Sequence, residues 1–580
     1  MAGLVALVAS RLQPAFDAIA PGADPVVRPS DRADFQANGA LALAKRLKLG
    51  DPRAVAERIA AEVDGGGWAR RIEVAGPGFV NVTLDDAWLA AHVAGQAADP
   101  RLGVESPATP RTVVIDYGSP NVAKEMHVGN LRSTIIGDAL TRLLAFTGDV
   151  MVRENHIGDW GTQFGMLIEH LVGVGEGAGA ATLSVGQLGE FYRDARHEFD
   201  TDGDFADRSR RRVVALQAGD AETLRLWGVL VGGSLDYMYE VFDRMGVLLS
   251  LDDVRGESAY NDLIPVVVAD LDAKGLLVDS EGARCVFPPG WTNRDGKPLP
   301  LIVEKSDGGY GYAATDLAGL VDRFGRLGAD LALYVVGAPQ SQHFEMCFAV
   351  GRMAGWLAPP AKAVHVAFGN MLGADRKMFR ARSGDSVKLV DLLDEAIERA
   401  AAAVAAKNPD LDAAEAAEVA RMVGIGAVKY ADLSTDRTRD YVFDWDRMLA
   451  FEGNTAPYLQ YAHARIRSIF RRAGDGADRT DGGWGKTPPT LAQPAERALA
   501  VALDGFPGAV EAARDSFAPH KLCAYLFDLA GTFTSFYESC PVLRAEDPET
   551  RASRLLLSDL TARVLRCGLG LLGIDAPDRM

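Results

Sequence analysis

The stretch that most constrains this chain's fold runs from residue 111 to residue 155. An apolar segment, TVVIDYG, leads into a polar turn and then a helical pattern. Leu131, Ile135, Ile136, Leu140 and Leu143 recur there at the spacing of one helical face. A second apolar segment, DVMVREN, follows, and a second helical pattern begins at DWGTQFGMLIEHL. Apolar strands alternating with helices predict a parallel sheet covered on both faces. Ligands of such sheets bind beyond the C-terminal ends of the strands. The polar turn at residues 119–130 stands at such an end.

A chain of 580 residues exceeds what one hydrophobic core organises, so several domains are expected. Residues 1–105 mix helical patterns with a short strand, GFVNVTL, and close at the Pro- and Gly-bearing segment ADPRLGVESPATP. They read as a small α+β domain. Residues 106–388 read as the parallel-sheet domain, interrupted by a polar, mostly helical insertion at about 176–290. Strand signals return at LPLIVEK, ALYVVGA and AVHVAFG. Residues 389–580 read as an all-α bundle. The N-terminal segment continues an amphipathic helix through Leu4, Val8, Leu12, Phe16 and Ile19, which argues for a domain's first helix over a signal peptide.

No apolar run approaches the ~20 residues a bilayer-spanning helix needs. The five cysteines, at 285, 347, 523, 540 and 567, form no CxxC pair, which argues against a zinc site or a disulfide framework and for a reducing cytoplasm. Formal net charge is -18, which taken alone disfavours nucleic acid. Net charge is a sum, however, and HARIRSIFRR at 463–472 holds four arginines and a histidine. A local basic face on an acidic body fits that pattern as well as a solvated helix face does.

The turn carries its own chemistry. Lys124 supplies a mobile positive charge, His127 and Asn130 neutral donors, and Gly129 a close backbone approach, all at a helix N-terminus whose free amides attract anions. That is a nucleotide seat without a P-loop, since GxxxxGK[ST] occurs nowhere in the chain. A second cationic stretch, ADRKMFRARSGDSVKL at 374–389, follows the last strand signal of the sheet and carries Lys377, Arg380 and Arg382. Tyr312 and Asp316 lie four residues apart at a helix start, on one face, so that Asp316 can accept a planar cation beside the tyrosine. Asn155 ends the second strand, where it can hold a ligand's polar head, with Ser119 and Asn121 as further candidates. Asp159 is a ligand or, by preference, the cap of the helix that follows it. Phe79 and Asn81 lie two apart on one strand face. A ring and an amide there suit an unstacked base, although the pattern alone favours core and cap roles. Tyr458, Tyr461, His463 and Arg465 combine aromatic and basic groups on one predicted helix.

The segment SPNVAKEMHVGNLRSTIIGDAL closely resembles the HIGH region of class I aminoacyl-tRNA synthetases, and among them the arginyl-tRNA synthetases. The match comprises Pro120, Asn121, Val122, Ala123, Lys124, Glu125, Met126, His127, Val128, Gly129 and Asn130, with Asn130 where the family has a second histidine. ENHIGDWGTQFG, EKSDGGYGYAATDLAGLVDR, the 429–473 segment and PHKLCAYLFDLAGTFTSFYESCPVL extend the likeness along nearly the whole chain.

This resemblance implies a Rossmann-like catalytic domain with a helical insertion, an N-terminal domain touching tRNA and a helical anticodon-binding domain. It implies activation of L-arginine by ATP, with Mg2+ accompanying the nucleotide, and transfer to the 3'-terminal adenosine of tRNA(Arg). The 374–389 stretch resembles an eroded KMSKS loop in which Arg380 stands nearest the second lysine, and Lys124 would compensate for the erosion. Lys124, His127, Gly129, Asn130, Lys377 and Arg380 would carry catalysis. Ser119, Asn121, Asn155, Tyr312, Asp316 and Gln340 would bind arginine, with Tyr312 and Asp316 on the guanidinium side and Gln340 lining the pocket. Phe79, Asn81, Tyr458, Tyr461 and Arg465 would contact tRNA. No resident metal and no membrane association is expected, and a monomer is the default.

Overall fold

In the computed structural model, which describes residues 3–30, 32–175, 188–306, 308–379, 387–474 and 487–580, four parallel strands form the sheet that the sequence calls for. Their spatial order is Lys362–His365, Leu331–Tyr334, Thr112–Asp116 and Val150–Glu154. The chain thus builds outward from Thr112–Asp116 in one direction and later in the other. The order reverses between Thr112–Asp116 and Leu331–Tyr334, the point at which parallel sheets of this kind place a ligand crevice above the strand ends.

Helix Val128–Phe146 bridges the point of reversal. Its Ser133 hydroxyl accepts the Gly118 amide at 3.0 Å and donates to the Val335 carbonyl at 2.7 Å, tying together the two strand ends that flank the reversal. At the strand ends lies a buried guanidinium. Arg323 donates to Glu154 at 2.6 Å and to Asp116 at 2.7 Å, and it stacks over Tyr334 at 4.4 Å from the ring centre. A second buried pair, Arg132 with Asp432 at 2.8 Å, fastens the same helix to the segment after residue 430.

The region expected to be a helical insertion contains helices Leu188–Thr201, Gly203–Gln217, Ala221–Arg244 and Ile264–Ala273. It also leads into a separate antiparallel sheet of Val278–Ser280, Ala283–Val286 and Leu301–Glu304. The strand signal at LPLIVEK therefore belongs to this small sheet and not to the parallel one. Its apolar face packs with Ile264, Leu271, Leu317 and Val350 in one core, which seats helices Tyr312–Val321 and Ser341–Met353.

Two compact units emerge. One comprises Pro107–Arg399 with Ala431–Asp446 and holds everything described so far. The other joins Met1–Ser106, Ala400–Tyr430 and Arg447–Met580. Within this second unit the first 106 residues form a four-stranded antiparallel sheet, Val27–Pro29, Phe35–Ala37, Phe79–Leu84 and Ala69–Ala75, with four helices. The first helix, Leu4–Asp17, buries Leu4, Val8, Leu12 and Phe16, as its periodicity predicts. The sheet region is bound to the C-terminal helices by charge: Arg497 of helix Pro494–Asp515 pairs with Asp34 and with Asp86, and Asp504 accepts from the buried His92. Among the described residues no helix is long and apolar enough to cross a membrane.

Removing one member of a buried ionic group leaves uncompensated charge, at a cost of about 3–5 kcal/mol. R323M is therefore expected to destabilise the parallel-sheet unit by about that amount. The check is the midpoint of its unfolding transition in urea, and an unmoved midpoint would contradict the role given to Arg323.

Candidate functional site

The turn between strand Thr112–Asp116 and helix Val128–Phe146 is shaped by residues with left-handed backbone. Gly118, Ser119 and Ala123 have φ of 85°, 46° and 59°. The turn ends in a reciprocal cap. The Gly129 amide donates to His127 Nδ1 at 3.0 Å, and the His127 amide donates to Asn130 Oδ1 at 3.1 Å. A Cβ at Gly129 would lie 2.6 Å from the His127 ring, so the glycine is what allows the ring to fold over the helix end. Because Nδ1 accepts, the neutral ring carries its proton on Nε2. Burial, and then the Lys124 charge, lower the imidazole's pKa and keep it neutral. His127 is thereby fixed as an uncharged donor. Asn130, read from sequence as a ligand donor, uses its oxygen to cap the helix, and its amide nitrogen is what it can still offer.

A cavity of about 200 Å³ adjoins this helix end, lined by Lys124, Glu125, Met126, His127, Gly189, Tyr192 and Lys388. Residues 387–389 run beside the turn. Val128 N–H donates to Val387 at 3.0 Å, and Leu389 N–H donates to Met126 at 2.9 Å. Lys388 pairs with Glu125 at 2.8 Å, while the Lys124 ammonium sits 4.9 Å from the centre of the Tyr192 ring. Two ammonium groups and a neutral N–H donor against one carboxylate make a seat for a polyanion.

Sequence reasoning missed Lys388, although it closes the quoted 374–389 stretch, and missed Tyr192 in the insertion. Arg380 and Arg382 lie outside the described residues. Lys377 sits exposed in a tight turn after strand Met371–Leu372, its amide held by Asp375, and does not line the cavity.

The second group of candidates gathers at the strand ends and on helix Tyr312–Val321. Asn155 is fully buried. Its Oδ1 accepts from the Ser119 amide at 3.0 Å and its Nδ2 donates to the Tyr239 hydroxyl at 3.3 Å, so it braces the turn against helix Ala221–Arg244. The Ser119 hydroxyl donates to Asp116 at 3.0 Å. Asn121 is exposed and lies against Gly158, where a Cβ would sit 2.3 Å from its Oδ1. Tyr312 opens its helix, 78% exposed, and Asp316 follows one turn later. The Asp316 carboxylate meets His343 Nε2 at 2.6 Å and holds that imidazole's pKa above its ordinary value. Gln340 lies exposed in the 3₁₀ turn Ala338–Gln340, just before helix Ser341–Met353.

Asp159 does not cap the helix after it. That helix starts at Gln163 with Thr162 as its cap residue, and the Asp159 carboxylate instead accepts the Ser258 amide at 2.8 Å and hydroxyl at 2.6 Å. Glu257 next to it is pushed up to about 7, first by burial.

In the other unit, Phe79 is partly exposed, whereas Asn81 is only 3% exposed and its oxygen is held by the Gln36 amide at 2.8 Å. Phe79 is thus the member of that pair that reaches solvent. On helix Ala456–Ala473, Tyr458, Tyr461 and Arg465 share the partly exposed face. The Arg465 guanidinium lies over Tyr537 at 4.6 Å, and Lys407 lies between Phe451 and Tyr461. His463 and Arg467 are buried; the His463 ring contacts the Pro577 carbonyl, and burial lowers its pKa to about 4. The basic run is therefore split between the two sides of its helix.

Three family models match the chain: the catalytic domain of class I tRNA synthetases (R) over residues 97–445, the DALR anticodon binding domain over 459–580, and the arginyl tRNA synthetase N terminal domain over 4–84. The arginine–tRNA ligase of Thermobifida fusca is 54% identical over 99% of this chain and 98% of its own length. That of Frankia casuarinae is 52% identical over 98% of this chain and 97% of its own. Among solved structures, the arginyl-tRNA synthetases of Plasmodium falciparum and Thermus thermophilus superpose with TM-scores of 0.83 and 0.82, at 28% and 26% identity, each over 100% of both chains.

Independently of those likenesses, Glu257 makes stability depend on pH. The folded chain keeps a proton on Glu257 up to about 7, whereas an unfolded glutamate loses it near roughly 4.3. The stabilising contribution is complete below the lower value and lost as pH rises to the higher one. Wild type should therefore lose stability relative to E257Q between those two values and show no further relative loss above. Paired urea midpoints across that range test it, and parallel curves would count against the buried carboxyl.

Proposed function

The chain belongs to the arginyl-tRNA synthetase family, and we propose that it charges tRNA with arginine by the following division of labour among its residues. The reaction is that of an ATP-dependent arginine–tRNA ligase. The arginine carboxylate attacks the α-phosphorus of ATP, pyrophosphate leaves, and arginyl-adenylate results. A hydroxyl of the tRNA's 3'-terminal adenosine then attacks the carbonyl, and AMP leaves. Magnesium enters with ATP as part of the substrate. No group of the protein needs to become covalently attached, so the protein's work is alignment and charge.

The single observation behind this assignment is the cavity in which Lys124, His127 and Lys388 meet at a helix N-terminus. His127 donates its Nε2 proton to a phosphate oxygen without carrying charge itself. Lys124 and Lys388 face the charge that grows on the departing pyrophosphate. ATP draws Lys388 away from Glu125, because a polyphosphate offers more negative charge than one carboxylate. Lys377 and Arg380, in the 374–389 stretch of the sequence, are assigned as further cations for the polyphosphate.

On the other side, Asp316 accepts the guanidinium, with Tyr312 beside it and Gln340 nearby. Asn155 and Ser119 shape the turn that receives the α-amino and carboxylate end. A site that must satisfy several donors of a planar cation rejects lysine by leaving groups unpaired, which makes an editing domain unnecessary. The tRNA meets Phe79 in the N-terminal sheet and the Tyr458–Tyr461–Arg465 face, where rings stack bases and cations hold phosphates. Asn81, largely enclosed, orients this surface. The five cysteines are free thiols, which supports action in a reducing cytoplasm, and we take the enzyme as a monomer.

D316N should lower kcat/KM for arginine by roughly a hundredfold or more and leave the KM for ATP near its original value. Arginine-dependent ATP–pyrophosphate exchange with tRNA present is the assay, and an indifferent variant would point to another amino acid as substrate. K388A should show the opposite pattern, with KM for ATP raised about tenfold through loss of one charge-assisted contact and KM for arginine unchanged. F79A should weaken tRNA binding by about 1–3 kcal/mol if its ring stacks a base, read by filter binding. Unaltered binding would remove Phe79 from the RNA surface.

A further inference from the structure

Among the described residues one group of three metal-ligating side chains converges, and the reaction above makes no use of it as a group: Asp316, His343 and Cys347. Asp316 comes from helix Tyr312–Val321. His343 and Cys347 come from helix Ser341–Met353, four residues apart and so on one face. Both helices are held by a common apolar core that includes Ala314, Leu317 and Val350. The backbone beneath the three side chains is therefore fixed.

Asp316 Oδ2 approaches His343 Nε2 at 2.6 Å, and Cys347 Sγ approaches the same nitrogen at 3.7 Å. A nucleophile relay requires the acid and the thiol on opposite ring nitrogens, which this arrangement excludes. The three donor atoms instead face one another, all within 4.8 Å. In a tetrahedral zinc site, with Zn–N near 2.0 Å and Zn–S near 2.3 Å, nitrogen and sulfur stand roughly 3.5 Å apart. The sulfur–nitrogen distance here already fits. The oxygen–nitrogen distance must open by somewhat under ~1 Å, a rotation of Asp316 that follows once Nε2 gives its lone pair to a metal. Asp316 and His343 side chains are 19% and 26% exposed, so the fourth position faces the mouth of the notch.

We propose that this notch binds a thiophilic divalent metal ion, zinc being the type case, through Asp316, His343 and Cys347, and that the bound metal competes with the arginine side chain. The competition rests on the assignment of Asp316 to the substrate guanidinium. On binding, the Cys347 thiol releases its proton to solvent, and its sulfur lone pair forms the bond to the metal. His343 first gives up its Nε2 proton, to Nδ1 from the neutral ring or to solvent from the imidazolium, and binds as neutral imidazole, with Asp316 as carboxylate. One thiolate and one carboxylate cancel the two charges of the cation, so the complex is neutral, as a half-buried site requires. No electron is transferred.

The test uses the full-length protein with Co2+ as a spectroscopic probe and no nucleotide present. Wild type should show a thiolate-to-cobalt charge-transfer band, which C347A abolishes and excess arginine removes. Buffered Zn2+ should raise the KM for arginine in the exchange assay without lowering kcat. The zinc concentration needed should rise at least tenfold in C347A, and H343Q serves as a second variant should C347A fold poorly. Absence of the band in wild type, or its persistence in C347A, overturns the site. A band that C347A abolishes but arginine leaves intact overturns the competition alone, and separates the metal site from the guanidinium assignment.

Discussion

The catalytic unit depends on a guanidinium buried between two carboxylates. Arg323 closes the C-terminal edge of the sheet by joining Asp116 and Glu154, register partners on adjacent strands, while its face lies on Tyr334 of a third strand. Three strand ends are thereby held by one side chain. Desolvation of such a group is costly unless every donor is met, and here the two acids and the ring meet it together. Arg323 also lies seven residues after Asp316 on the same run of helix, which passes into a π turn at Asp322–Arg326. Two turns apart, the two residues share a face, so anchoring Arg323 fixes the roll of the helix that presents Tyr312 and Asp316.

This anchor divides the charge around the strand ends. Asp116 and Glu154 are engaged by the protein's own arginine and are withdrawn from any ligand. Asp316, partnered among the described residues by a titratable histidine, remains able to change partners. On the other side of the first strand's turn, the cavity around His127 is cationic. A ligand negative at one end and positive at the other is oriented by these two regions before any close contact forms. Because the neutral His127 ring carries its proton on Nε2, it offers the cavity a directional donor without adding charge.

Much of this was readable from residue order. The apolar runs at 112–118 and 149–155 and the helix between them fix the sheet, although Val150–Glu154 is only part-buried and helix Val128–Phe146 is enclosed nearly all round, beyond its apolar face. LPLIVEK has the same local composition as a buried strand, and only its partner Ala283–Val286, itself paired with Val278–Ser280, shows that it pairs antiparallel elsewhere. Asn130 illustrates a different limit. A short amide three residues into a helix can serve a ligand or the backbone behind it, and sequence does not say which. Asp159 prefers a distant serine to the nearby helix for the same reason. Lys388 acquires its place from Glu125, 263 positions earlier in the chain, a pairing no window of sequence contains. In HARIRSIFRR, the helical period alone could have separated Arg465 from the inward-facing His463 and Arg467.

The internal and the proposed external guanidinium differ in solvation more than in chemistry. Arg323 has two carboxylates and is only 3% exposed, so its attachment is as permanent as the fold. Asp316 is partly wet, offers one carboxylate, and shares it with an imidazole whose own pKa rises in that contact. A cation arriving there must displace His343, and one leaving is replaced by it. The histidine therefore keeps the carboxylate satisfied between turnovers and lowers the net gain on binding. An acidic notch built without such a substitute would either hold its substrate too long or bury an unpaired charge when empty. On the proposed assignment of Asp316, reversible recognition of a guanidinium would follow from giving the second site one acid fewer than the first, and a partner that can let go.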